Sequence, residues 1–253
     1  MTNKITINLI YFNGCKNFGD QLSPFICRSL INKDKYNLVY NINNVDINII
    51  CIGSFIHAAK NNTFIFGSGV RTDPSIEGGH NYKNLEVCAI RGPLSKKFIQ
   101  NKNIICSDIF GDPALLLPKF YKPIINEKLK DKIGIIPHKS NYNKYKQMKL
   151  DNKYYLISPT DNWKIVINSL ASCKCIISSS LHGLICSDAY NKPNVWLNEY
   201  KLAEGDFKFK DYFMSQNRKY IVIKNINEYN HKFLYRDGNK IDLDKLINAF
   251  PFR

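Results

Sequence analysis

The stretch Cys175-Ile176-Ile177-Ser178-Ser179-Ser180-Leu181-His182-Gly183 decides the fold. Its first four residues show no alternation of apolar and polar, the pattern of a strand covered on both faces in a parallel sheet. Three consecutive serines end the strand, and Leu181 opens a run whose apolar spacing predicts a helix over 181–190. A buried strand that runs straight into a helix is half of a βαβ unit. Working outward, the same pattern predicts strands over 5–12, 47–52, 63–66, 87–90 and 103–106, then over 132–136, 154–157, 194–197 and 220–223. Helices are expected over 21–31, 93–100, 162–172 and 242–250. Strand then helix, repeated, means α/β. Residues 118–131 break the series with Pro118, Pro123 and a polar stretch without periodicity. We therefore read two Rossmann-like domains, 1–122 and 123–240, followed by a closing helix in 241–253. Their parallel sheets would face a central cleft.

Composition narrows the classes. The 253 residues are 44% hydrophobic and 23% charged, which excludes a disordered or fibrous chain. Lys plus Arg number 36 against 21 Asp plus Glu, and the resulting +15 favours anionic partners; a basic face that serves only solubility is the plainer alternative. No apolar run approaches the roughly 20 residues needed to span a bilayer, and the 5–12 run lacks a small-residue cleavage site. The eight cysteines form no Cys-x-x-Cys pair and mostly sit in apolar runs. They are expected to be reduced core residues of a cytoplasmic protein. Five histidines without ligand spacing predict no metal site.

In folds of this class ligands bind beyond the carboxyl ends of the strands. Five places qualify. In Asn17-Phe18-Gly19-Asp20-Gln21 the glycine permits a turn, and Asp20 is either a helix N-cap or a carboxylate pointing into the cleft. Gly67-Ser68-Gly69 follows a strand and would let a ligand approach backbone N–H groups, though it is neither a dinucleotide fingerprint nor a P-loop. Arg91-Gly92-Pro93 puts a guanidinium at a helix N-terminus, where it either binds an anion or pairs with a nearby carboxylate. His138 follows the strand at 132–136 and is a candidate acid, with a structural role as the alternative. Last, Ser178, Ser179 and Ser180 with His182 and Gly183 gather hydroxyls, N–H groups and an imidazole at one helix start, a phosphate or carboxylate site. A serine N-cap with a bystander histidine is the alternative there.

These segments, in this order, resemble the polysaccharide pyruvyl transferase family. The matching residues are Asn17 to Leu22, Gly67-Ser68-Gly69, Arg91-Gly92-Pro93, Gly111-Asp112-Pro113 and the run to Pro118, Pro137-His138, and Ser179 to Gly183. Asp188-Ala189 and the run from Pro193 to Trp196 also fit. The resemblance implies a GT-B-like pair of Rossmann domains, with the acceptor on the N-terminal side and the donor on the C-terminal side. It also implies that the last helix packs back on the first domain. The implied reaction moves pyruvate from phosphoenolpyruvate to sugar hydroxyls of a glycan, with phosphoenolpyruvate as donor substrate and no cofactor or metal. On that reading His182, Asp20 and His138 are the catalytic candidates. Arg91 would bind the donor anion, with Asn17, Gly19, Gly67, Ser68, Gly69, Ser179, Ser180, Leu181 and Gly183 around the substrates. One branch of the family carries Arg before Leu-His. This sequence has Ser180 there, so Arg91, or failing it Lys139 or Arg71, is expected to supply that contact.

Two rivals share features. A GT-B glycosyltransferase with a nucleotide-sugar donor would use the same fold, but no Glu is placed to hold a ribose after Gly183. A nucleic-acid-binding protein would fit the charge, but the lysines are spread along the chain and no binding motif occurs.

Overall fold

The computed structural model describes residues 4–71, 84–199, 205–219 and 221–253. Two five-stranded sheets, parallel throughout, organise them and fit two Rossmann-like domains. The first contains β1 (Ile5–Leu9), β2 (Tyr36–Tyr40), β3 (Ile47–Ile50), β4 (Thr63–Phe66) and β5 (Leu85–Ala89), in the order β2-β1-β3-β4-β5. The second contains β6 (Ile133–Ile136), β7 (Tyr154–Leu156), β8 (Cys175–Ser178), β9 (Asn194–Leu197) and β10 (Val222–Ile223), ordered β10-β9-β8-β6-β7. In both, the order reverses beside the first strand of the series, the switch point where such sheets open a crevice.

The helices are α1 (Phe18–Leu30), α2 (Pro93–Gln100), α3 (Tyr142–Gln147), α4 (Trp163–Ser172), α5 (Leu181–Ala189), α6 (Phe207–Ser215) and α7 (Leu243–Asn248). Helix α1 begins at Phe18 because the Asn17 side chain accepts the Gly19 N–H at 2.9 Å. The cap is therefore Asn17, and Asp20 falls in the first turn, which corrects the capping alternative for Asp20. The helix buries Phe18, Leu22, Ile26 and Leu30, an i, i+4 stripe. One apolar cluster joins both sheets, from Ile7 and Leu9 through Leu115 and Leu116 to Ile176 and Leu184. After α7 the chain returns to the first sheet: Phe250 meets Phe66, Phe252 meets Tyr36 and Phe64, and the Asn32 N–H donates to the Phe252 carbonyl. Among the described residues no helix is long and apolar enough to cross a membrane.

The strand expected over 103–106 does not form. Asn103 takes φ +58°, Ile105 projects into solvent, and only an isolated parallel bridge joins Cys106 to Val87. Sequence reasoning missed β2, a half-buried edge strand reading Tyr-Asn-Leu-Val-Tyr, and both α3 and α6. In α6 the run Phe-Lys-Phe-Lys alternates like a strand, yet Phe209, Tyr212 and Phe213 share the buried face of a helix. Tyr220, the first residue of the strand expected over 220–223, lies outside the described residues.

Candidate active site

A cavity of about 260 Å³ opens where the loops after β1, β3, β4, β6 and β8 meet the first turns of α1 and α5. Asp20 enters it from α1, His138 and Lys139 from the segment after β6, and Ser180, Leu181 and His182 from the start of α5. Arg71 follows β4, and Lys208 comes from α6. Tyr11, Phe12 and Phe55 give it an aromatic side. Among the lining groups Arg71, Lys139 and Lys208 stand against the single carboxylate of Asp20. Fixed cations and helix N-termini around a small pocket suit a compact, multiply charged anion.

The structure brings together all three catalytic candidates, His182, Asp20 and His138, at this cavity. Asn17, Ser180 and Leu181 line it too. Ser179 acts one step back, its Oγ accepting the His138 N–H at 2.8 Å. His138 itself starts the turn that carries Lys139, with Nδ1 2.8 Å from the Ser140 Oγ.

His182 is 8% exposed, and its ring lies across the N-terminus of α1, edge-on to Phe18. Gly19 is what admits it, since a Cβ there would overlap the ring at Nδ1. Gly183 plays a matching part, leaving room for the Ser178 Oγ, which accepts the Ser180 N–H at 3.0 Å and shapes the turn. On the other edge of the imidazole, Nε2 is 3.8 Å from Oδ2 of Asp112, which is fully buried. Neither atom has a hydrogen-bond partner among the described residues, and both are sealed from solvent. The second oxygen of Asp112 accepts the Ala114 N–H at 2.9 Å. Asp112 is the residue of this site to which the sequence assigned no role. Its signal was the Gly111-Asp112-Pro113 turn, which reads as a loop until the fold sets it beside His182. Beneath, burial pushes the thiols of Cys51 and Cys186 well up, with the Asp112 carboxylate adding to it. They stay protonated within the apolar core that joins the two sheets.

Four other candidates lie elsewhere. Arg91 is fully buried and does not line the cavity. Its Nε pairs with Asp211 at 2.9 Å, one terminal nitrogen donates to the Ser54 Oγ at 2.5 Å, and the other to the Val70 carbonyl at 2.6 Å. Of the two readings of Arg91, this is the carboxylate pair, and of the two fallbacks both Arg71 and Lys139 line the cavity. Gly69 makes way for the Arg91 guanidinium, and Gly67, at φ +79°, for Pro113 and the Gly111 carbonyl. Ser68 is buried, its Oγ bonded to the Gly53 carbonyl and the Phe55 N–H. The Gly67-Ser68-Gly69 segment thus holds its neighbours close instead of contacting the pocket.

The family model for polysaccharide pyruvyl transferase matches residues 4–199, well over half of the chain. The chain belongs to the polysaccharide pyruvyl transferase family. All the cavity residues but Lys208 fall inside the matched region. A mimivirus protein, the uncharacterized protein L143 of Acanthamoeba polyphaga mimivirus, is 27% identical over 266 residues, spanning 98% of this chain and 89% of its own length. A crystal structure of a functionally uncharacterized protein, KP1_0663, from Klebsiella pneumoniae subsp. pneumoniae NTUH-K2044 superposes with a TM-score of 0.51 at 14% identity. That match covers 87% of this chain and 94% of the other, and shows a shared fold. Membership of the polysaccharide pyruvyl transferase family implies a transferase with a glycan acceptor.

Proposed function

We propose that this protein transfers pyruvate from phosphoenolpyruvate to two hydroxyls of a sugar in a glycan, forming a cyclic ketal and releasing phosphate. The observation that carries the reading is the cavity itself, where His182, His138 and Asp20 face a ring of cations. Phosphoenolpyruvate presents a carboxylate and a phosphate on a three-carbon frame, and Arg71, Lys139 and Lys208 suit that pair of anions. The vinyl carbon gains a proton, and the neighbouring carbon becomes oxocarbenium-like. A sugar hydroxyl attacks that carbon and gives up its proton. The bond to the bridging oxygen then breaks, and the departing phosphate leaves with one proton. A second hydroxyl closes the ketal. Two hydroxyl protons are lost, one reaches the new methyl group and one the phosphate, so the account balances. His182 is the acid–base group that serves the donor, Asp20 orients the acceptor hydroxyl, and His138 is the second proton carrier. The arrangement we favour is GT-B-like, with the acceptor held by residues 1–122 and the donor by 123–240.

Thermal unfolding with and without phosphoenolpyruvate tests the donor, with UDP-sugars in parallel. At about 100 times its dissociation constant a ligand stabilises by roughly 2.7 kcal/mol. At about 2–4 °C per kcal/mol that is a readable shift. A shift with phosphoenolpyruvate that is lost in Arg71→Ala plus Lys139→Ala supports the reading. A shift with UDP-sugars alone overturns it in favour of a glycosyltransferase.

A further inference from the structure

The two nitrogens of His182 have unlike surroundings. Nε2 is sealed from solvent, has no hydrogen-bond partner among the described residues and lies 3.8 Å from Asp112 Oδ2. Nδ1 lies over the bare Cα of Gly19 and is not among the sealed, unpartnered atoms. Two buried polar atoms that face one another unbonded are costly, and a ring rotation of less than about 1 Å at Nε2 would join them. To the ionised carboxylate that bond exists only when Nε2 carries the proton, because a bare Nε2 would set its lone pair against a carboxylate oxygen. The carboxylate is held for the purpose. Oδ1 is tied to the Ala114 N–H, and Gly67 lets the Pro113 turn seat against β4, so Oδ2 cannot swing away without breaking the turn.

We infer that Asp112 is the positioning residue of His182: it holds the ring proton on Nε2 and leaves Nδ1 as the nitrogen that exchanges a proton with substrate. Which substrate that is rests on the function proposed above; the tautomer does not. Gly19 belongs to the same device, since any side chain there would cover Nδ1. Buried carboxylates fix the tautomer of catalytic histidines in this manner, and replacing one by its amide leaves the geometry while losing the tautomer.

The experiment uses Asp112→Asn, whose Oδ1 still caps the Ala114 N–H, so the turn survives. Ring 15N shifts of His182 are read in the free, full-length protein at the alkaline end of its titration, and assigned by their loss in His182→Gln. The wild type is expected to carry its proton on Nε2, and Asp112→Asn to lose that preference. Turnover should fall about 100-fold or more with little change in unfolding temperature. A wild-type ring protonated on Nδ1 overturns the inference, as does an unchanged tautomer in Asp112→Asn. If the tautomer shifts as expected but the wild type transfers no pyruvate, the proposed reaction fails and the role of Asp112 stands.

Discussion

The ends of β5 and β8 look alike in sequence and differ in what they leave unfinished. Each strand runs through a glycine- or serine-bearing turn into a helix, α2 or α5, and each sets one basic side chain at the junction, Arg91 or His182. At β5 each guanidinium nitrogen has a partner. The guanidinium bonds Asp211, Ser54 and Val70, and Asp211 also takes the Ser95 N–H and hydroxyl at 2.9 and 2.6 Å. At β8 the imidazole and the carboxylate behind it are each left with an unbonded buried atom, beside a cavity. A closed set of bonds is a structural device that ties α6 to α2. An open pair beside a cavity leaves the imidazole free to turn onto its carboxylate while its other nitrogen serves a substrate.

The largest effect should come from the closed end. Arg91→Ala strands the Asp211 carboxylate in the core and is expected to cost about 3–5 kcal/mol, or roughly 6–20 °C in Tm. Phosphoenolpyruvate should still bind the folded fraction. A variant with unchanged Tm but no donor binding would reverse the comparison and return Arg91 to the substrate. Exchanging both partners for apolar residues, Arg91→Met with Asp211→Leu, should recover much of the loss.

The open end should behave the other way. His182→Gln is expected to cut turnover by about 100-fold or more while Tm moves by only a few degrees. Steady-state kinetics beside a melting curve decides it, and near-wild-type turnover would remove His182 from the chemistry. Gly19→Ala sharpens the point with a smaller change. The added methyl collides with His182 and should cost about 1–3 kcal/mol through forced movement of the ring. Turnover should fall, with the donor KM less affected, because Arg71 and Lys139 are untouched. Equal losses in Gly19→Ala and Gly14→Ala would show that the clash with His182 is not the cause.

The architecture was legible because buried parallel strands leave a strong sequence trace. The β4 and β8 runs were read to the residue, and β9 likewise. What escaped lies where tertiary packing overrides local pattern. The alternating aromatics of α6 imitate a strand, and β2 takes its place at a sheet edge through the register with β1 rather than through hydrophobicity. The site was legible in part for the same reason. Loops that end strands can be recognised, so the sequence pointed to Asp20, His138 and His182, which line one cavity. Whether a basic residue at such an end is satisfied cannot be read from spacing, since Asp211 is 120 positions from Arg91 in the chain. Nor could Asp112, whose partner is brought by a fold contact between Pro113–Lys119 and α5.

The smallest effect concerns the rim of the open end, where Cys15 is exposed and its Sγ lies 2.8 Å from the Lys139 Nζ. Five other cysteines are buried, and burial pushes the half-buried thiols of Cys88 and Cys106 up to about 12 and about 11. At pH 8, three units below the value for Cys106 and four below that for Cys88, roughly one part in a thousand or less is thiolate, and only the thiolate alkylates. Iodoacetamide should therefore label Cys15 well before Cys88 or Cys106, as mass spectrometry of the native protein would show. If the cations at the cavity take up the donor, Lys139 turns from the sulfur to the anion and phosphoenolpyruvate should change the Cys15 labelling rate by a few-fold. Cys51 and Cys186, buried in the core, should stay unlabelled with or without it. A donor effect at Cys15 that persists in Lys139→Ala would separate the thiol from the cation and leave Arg71 and Lys208 as the groups that hold the anion.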